Sequence, residues 1–424
     1  MSRFVPSRAQ WRLVLHTLVI AASVTVLASR AIAEDPALVD IEQDAKRIHE
    51  NVLVLDSHVD IPVDYGTGRN DPGIDGSTQV DLPKLERGGV DAAVFAVFAK
   101  QDKRTPGGLL KAKAEADRKL KAILDIPRRY PHQAALALSA ADVERIHREK
   151  KVAVIVGFLN AASLGTDLSL IDSYYRAGIR TFGFVHAGNN DFADSSRPIG
   201  DDKYGEHGGL SSLGREAVTR LNRLGVILDV SQLTPEALLQ SVKLSKAPVV
   251  ATHSAIKALV DSPRNLSDTE LDAIKANGGV VQIVAFSYYL KAPRFDLASK
   301  YKELAARYKK DTRELSKEED EELHRELYAL APRDATVDDL VNAITYAVKR
   351  IGIDHVGISS DFNHGGGIVG WKDESEALNV TAELLRRGYA EDQIAKLWGG
   401  NFLRVFRQVE NVSEQLRLAD SRRP

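Results

Sequence analysis

His58-Val59-Asp60 is the sharpest chemical signal in the chain. Residues at i and i+2 leaving a strand project to the same side. An imidazole nitrogen and a carboxylate oxygen can then meet one divalent ion, an arrangement that suits zinc or a similar metal. There is no cysteine, so there are no disulfides, thiolate ligands or Cys nucleophile. Any metal must be held by His, Asp, Glu or water. The bland alternative is that Asp60 caps the next turn and His58 bonds locally. Other polar residues also close short apolar runs. They are Asn160 after Phe158-Leu159, His186 after Phe184-Val185, Asp229 with Ser231-Gln232, Thr252-His253-Ser254, and Ser360-Asp361-Phe362-Asn363-His364.

The runs that carry these residues number eight: 52–58, 90–99, 152–159, 179–186, 226–233, 248–254, 279–286 and 355–362. They are apolar on both faces, as parallel strands covered by helices must be. Amphipathic segments lie between them at 109–129, 168–177, 214–224, 235–245, 267–276 and 337–350, and two more, 374–387 and 391–409, close the chain. Eight β-α alternations predict an α/β fold, a (β/α)8 TIM barrel, ahead of an open doubly wound sheet. In a barrel the C-terminal strand ends converge on the face that carries active sites. Three His and two Asp at equivalent strand ends are hard to explain as chance. Between runs seven and eight a helical insertion is expected at 287–334. It opens with Tyr288 and Tyr289 and contains a charge-dense stretch at 317–326. It reads as a solvated helical hairpin whose place beside the active face also suits a lid or a dimer contact. The Gly- and Asp-rich segment 64–78 is placed to cover the mouth.

Lys and Arg number 57 against 59 Asp and Glu, a formal net charge of −2. That balance argues against a nucleic-acid binder driven by phosphate contacts and against a polybasic membrane-surface protein. Apolar residues make up 44% and charged residues 27%, which excludes disorder as the main state. Arg3, Arg8 and Arg12 precede an apolar run from Leu13 to Leu27, and Ala31-Ile32-Ala33 then precedes Glu34. This is the pattern of a cleavable signal peptide over residues 1–33. The run is shorter than the ~20 residues a spanning helix needs. The expectation is a periplasmic or secreted protein with no membrane span after cleavage. Its mature part, 34–424, is then one barrel domain.

Asp56-Ser57-His58-Val59-Asp60-Ile61-Pro62 resembles the opening motif of the membrane (renal-type) dipeptidases, peptidase family M19, among the metal-dependent amidohydrolase-like barrels. The similarity continues through the stretch 169–179 with its Gly178, through Phe184-Val185-His186-Ala187-Gly188-Asn189-Asn190 and through Ala193-Asp194. It includes Gly209-Leu210-Ser211, the stretch 221–226, His253-Ser254, Arg264-Asn265 and Ser360-Asp361-Phe362. It closes with Asn401-Phe402-Leu403-Arg404-Val405-Phe406. The resemblance implies a dipeptide or related small substrate with a free carboxylate, and two zinc-type ions sharing a bridging Glu from strand three. It places His58 and Asp60 at one ion and His253 at the other. It gives His186 the scissile carbonyl, Arg264 the substrate carboxylate, and Asp361 the proton or the substrate amine. Tyr288 and Tyr289 are further candidates to contact substrate.

Two positions depart from that pattern. The bridging Glu falls on Leu159, and the strand-five His falls on Gln232, a weak ligand at best. Zinc or another divalent metal is therefore expected at fewer than two ions per chain. Three readings follow: a metallodipeptidase with altered or weak activity, a non-hydrolytic binding or maturation protein of the same descent, or a hydrolase of a lactone or cyclic amide. A homodimer is compatible with all three.

Overall fold

The computed structural model describes residues 36–199, 202–331 and 334–422. The leader reading, on residues 1–33, lies outside them. Residues 45–424 make up one compact unit, and the segment before Ala45 is a separate one.

Eight parallel strands form the core: β1 Leu55–Asp60, β2 Ala92–Phe98, β3 Val152–Leu159, β4 Ile179–Gly183, β5 Ile227–Asp229, β6 Val250–Ile256, β7 Val280–Val284 and β8 Val356–Ser359. They neighbour one another in chain order. The Asp60 amide donates to Phe362 O at 2.9 Å and the Asp361 amide to His58 O at 3.1 Å, which joins β8 back to β1. The result is the α/β barrel expected from the eight runs. Every residue of these strands is buried, because helices cover the outside and side chains fill the inside. Two short strands, Ala134–Leu136 and Asn265–Leu266, pair at the margin with β3 and β6.

The helices start where the chain supplies caps. Thr105 with Pro106 and Thr234 with Pro235 combine a side-chain cap with a proline in the first turn. Ser267 with Glu270 forms a capping box. Helices Pro36–Asn51, Leu82–Arg87 and Ala140–Arg148 were not anticipated by the periodicity. The expected helix over 391–409 is instead Glu391–Ala395, a wider turn at Lys396–Gly400, and then Asn401–Ser421.

The last helix closes the N-terminal end of the barrel. Its Phe402, Leu403, Val405, Phe406 and Val409 form one apolar cluster with Leu55, Val94, Ile155, Ile227, Val250 and Val280 at the strand starts. Asn401 donates to Ile353 O and Val356 O at 2.7 and 2.8 Å, and Arg404 to Gly278 O at 2.8 Å. The closing motif read from the sequence is thus a structural clasp. Polar chemistry is left to the other end.

Between β7 and β8 lie helices Ser287–Leu290, Leu297–Ala305 and Lys317–Leu330. The last two share a small apolar cluster of Ala305, Leu315 and Leu323. The loop after β2 meets this segment through Lys100–Asp320 at 3.5 Å and Lys103–Glu314 at 2.5 Å.

Candidate active site

Two buried carboxylates set the strand ends before any ligand is considered. Asp56 Oδ1 accepts the amides of His58 and Ser360 at 3.1 and 3.0 Å, tying β1 to the end of β8. Asp229 accepts the Thr252 amide and hydroxyl at 3.0 and 2.6 Å, tying β5 to β6.

His58 Nε2 and Asp60 Oδ2 then lie 3.3 Å apart, both side chains buried, with Asp361 Oδ1 4.0 Å from the same nitrogen. Ligand atoms of His58, His253 and Asp361 all fall within 4.8 Å of one another. His58 Nε2 and both Asp60 oxygens have no hydrogen-bond partner. Buried polar atoms are nearly always satisfied, so orphaned atoms of these types, gathered at one point, fit a divalent cation. Asp361 is aimed by a tight turn and holds φ +57. Gly366 closes that turn, where an added Cβ would lie 2.0 Å from Ser360 O.

The electrostatics match this placement. Burial is the largest influence on Asp60 and opposes ionisation, yet the His364 and His58 imidazoles hold its carboxyl well below the usual range. Burial also opposes the charged form of His58, but Asp60 and Asp361 outweigh it and raise its pKa. Burial pushes the Asp361 carboxyl up to about 6.

The remaining expected residues converge on the same mouth. Arg264 is buried, donates to His253 O at 2.7 Å and lies 5.3 Å from the Tyr289 ring centroid. Its Nε has no partner. The acids nearest to it in sequence are engaged elsewhere, Asp261 with Lys257 and Asp268 with Arg350. Tyr289 packs beneath Arg264, whereas the Tyr288 hydroxyl donates to Ala331 O within the 287–334 segment. Leu159 is buried and comes within 3.0 Å of where a Cβ on Gly183 would be. It fills the end of β3 with carbon. Its polar neighbour Asn160 is spent on Ala99 O and the Asn190 amide.

Gln232 is buried at φ +69, a conformation that costs a non-glycine residue roughly 1 kcal/mol or more. Its Nε2 meets His253 Nε2 at 3.0 Å and its Oε1 accepts from Arg197 at 2.7 Å. Arg197 Nη2 also reaches His186 Nε2 at 3.3 Å. A guanidinium only donates, so the His186 proton belongs on Nδ1. Burial first, then the Arg197 charge, holds the His186 pKa well below its usual value, so the ring is neutral.

Arg197 was not singled out from the sequence, and His364 was named only among the polar residues closing the last run, with no role. His364 Nδ1 lies 3.5 Å from Asp60 Oδ1, and its ring is 4.9 Å from that of His186. Its position three residues after Asp361 was the available signal. Arg197 follows the Asn189-Asn190 and Ala193-Asp194 motif, which proves to be loop scaffolding. Asp194 accepts the His207 and Gly209 amides at 3.0 and 2.8 Å. The Ser195 hydroxyl donates to His186 O and accepts the Arg197 amide at 3.1 Å. Gly188, at φ +98, returns its amide to Arg197 O at 2.8 Å.

The family model described as membrane dipeptidase, peptidase family M19, matches residues 42–420. The chain belongs to the peptidase M19 family. It is 30% identical to the dipeptidase tcpJ of Claviceps purpurea over 371 residues, which cover 85% of this chain and 75% of that protein. It is 43% identical to the probable dipeptidase PvdM from Pseudomonas aeruginosa, covering 88% of this chain and 99% of that one with a TM-score of 0.81. An M19 metallopeptidase, dipeptidase AC, shares the fold at 24% identity and a TM-score of 0.68, over 84% of this chain and 98% of that one. The M19 barrel is thus that of a metallodipeptidase-type enzyme, with a small peptide as the family's kind of substrate. No helix among the described residues is long and apolar enough to cross a membrane.

Proposed function

We propose that this protein is a single-ion, dipeptidase-like hydrolase of small peptides with a free carboxylate, with weaker or altered activity than a two-ion enzyme of the family. The observation that carries the reading is the trio of orphaned buried atoms on His58 and Asp60 with Asp361 beside them, set against a β3 end closed by Leu159. His58, Asp60 and Asp361 would hold a zinc-type ion, and His253 would join only if Gln232 released its Nε2. Such an ion supplies Lewis-acid polarisation of water or of a carbonyl oxygen. Asp361, ionised at neutral pH, takes the proton of the attacking water at its carboxylate. Arg264 grips the substrate carboxylate, and the His186 Nδ1–H donates to the scissile carbonyl oxygen. Arg197 on His186 Nε2 also favours a second reading, a binding or maturation role without turnover.

The pH dependence of metal affinity tests the ion site. Asp361 has a folded-state pKa of about 6 against an ordinary 3.8. A raised carboxyl contributes stability that is full below the unfolded pKa and is lost as pH rises through the folded one. The ion-free protein therefore loses this stability between those two values, and a cation that takes the ionised form restores it. The raised His58 pKa acts in the same direction, since its proton must also leave. Zinc affinity should climb steadily from about pH 5 to about pH 8. A flat profile over that range would count against this ligand set.

For export, the basic start and Ala31-Ile32-Ala33 support cleavage to a mature chain beginning at Glu34. N-terminal sequencing of exported protein should read from Glu34, and an intact Met1 would refute the leader.

A further inference from the structure

We infer that Arg197 is a built-in cation that stands where a second metal ion would have to bind and that offers its charge to an anionic or carbonyl oxygen of the ligand beside His186. The inference rests on the single-ion reading above and explains why the count stops at one.

A continuous chain of hydrogen bonds leads to this guanidinium. The Thr252 hydroxyl gives its one proton to Asp229 Oδ2 at 2.6 Å. It therefore accepts from His253 Nδ1 at 2.8 Å. That fixes the tautomer and leaves a lone pair on His253 Nε2. Gln232 Nε2 donates to this lone pair at 3.0 Å. The Gln232 amide is thereby oriented, and its Oε1 accepts from Arg197 Nη2 at 2.7 Å. A carboxylate sits at one end and a guanidinium at the other, and each hydrogen bond between them has its donor and its acceptor.

A dication at His253 Nε2 would first have to displace Gln232. It would then face a permanent positive charge one residue away, with carbon rather than a carboxylate at Leu159 to screen the repulsion. Arg197 cannot lose its charge. No carboxylate pairs with it among the described residues, and its Nε is buried without a partner. Its backbone is pinned on both sides to the turn that follows His186. An uncompensated, backbone-anchored guanidinium beside a neutral imidazole is a site for oxygen carrying negative charge. Such oxygens are a carboxylate, a polarised carbonyl, or the tetrahedral anion formed from one.

Native mass spectrometry at one fixed zinc concentration tests the exclusion. The forms compared are the unaltered protein, Leu159→Glu/Gln232→His, and that double variant with Arg197→Met or with Arg197→Lys. The double variant should hold one ion. Adding Arg197→Met should bring the count to two, and adding Arg197→Lys, which keeps the charge, should leave it at one. A double variant that already takes two ions as tightly as the methionine triple, or a triple that gains none, overturns the inference. Zero metal on the unaltered protein refutes the single-ion reading separately, while the difference between double and triple still decides Arg197. The ligand contact is tested by calorimetry with a phosphinate dipeptide mimic. Arg197→Met alone should weaken its binding roughly 30-fold or more, and an unchanged affinity overturns the contact.

Discussion

Arg264→Ala should weaken the binding of a carboxylate-bearing dipeptide by about 30-fold to several thousand-fold, the ~2–5 kcal/mol lost when one partner of a buried charge pair is removed. The size of the effect follows from the environment. The guanidinium is only 3% exposed, and its one hydrogen bond goes to the neutral carbonyl of His253. Burial disfavours its charged form and lowers its pKa. The nearby acids Asp261 and Asp268 are engaged elsewhere. A buried cation without an anion is costly, and a ligand carboxylate relieves that cost through two parallel hydrogen bonds that lysine cannot copy. His186→Ala behaves differently. In the proposed role its neutral ring would support charge developing on the carbonyl oxygen, so turnover should fall more than affinity. Calorimetric titration separates the two. Equal dipeptide affinity in Arg264→Ala and the unaltered protein would show that the clamp is not used.

Asp60→Asn should lower zinc affinity by about 100-fold or more, with little change in the fold. The substitution keeps the shape of a side chain whose two oxygens face the His58 and His364 imidazoles but complete no hydrogen bond. It removes a charge that the neighbouring His58 and His364 hold ionised against burial. Carboxylate-to-amide exchange takes away an anionic ligand and replaces it with a weak neutral one. The His58 pKa should fall in the same variant, because Asp60 is the strongest influence raising it. Competition against a zinc-sensitive dye measures the first effect, and histidine NMR resonances followed over pH measure the second. An unchanged zinc affinity would place the ion elsewhere.

The barrel was legible because its strands are buried on both faces and read as unbroken apolar runs. Their ends were less legible. The runs at 179–186 and 226–233 overshoot β4 and β5, which stop at Gly183 and Asp229. There the chain turns aside to make the Asp229 clamp and the loop scaffold of Asn189, Asn190 and Asp194. His58, Asp60, His186, His253 and Asp361 were visible as ionisable residues at strand ends, and Arg264 through the family resemblance. Leu159 and Gln232 were visible only as departures from a family pattern. Arg197 carried no local signature. Its place is set by the Ser195 hydroxyl on His186 O and the Gly188 amide on Arg197 O, contacts formed across a loop whose path no periodicity encodes.

The central claim is that this M19 barrel holds one divalent ion at His58, Asp60 and Asp361, while Leu159 and the Gln232–Arg197 pair close the second position. The most direct test is a metal count on unaltered protein, purified without chelators and equilibrated with zinc at ordinary concentrations. The account predicts one ion per chain, lost in Asp60→Asn. Two tightly bound ions per chain would contradict it.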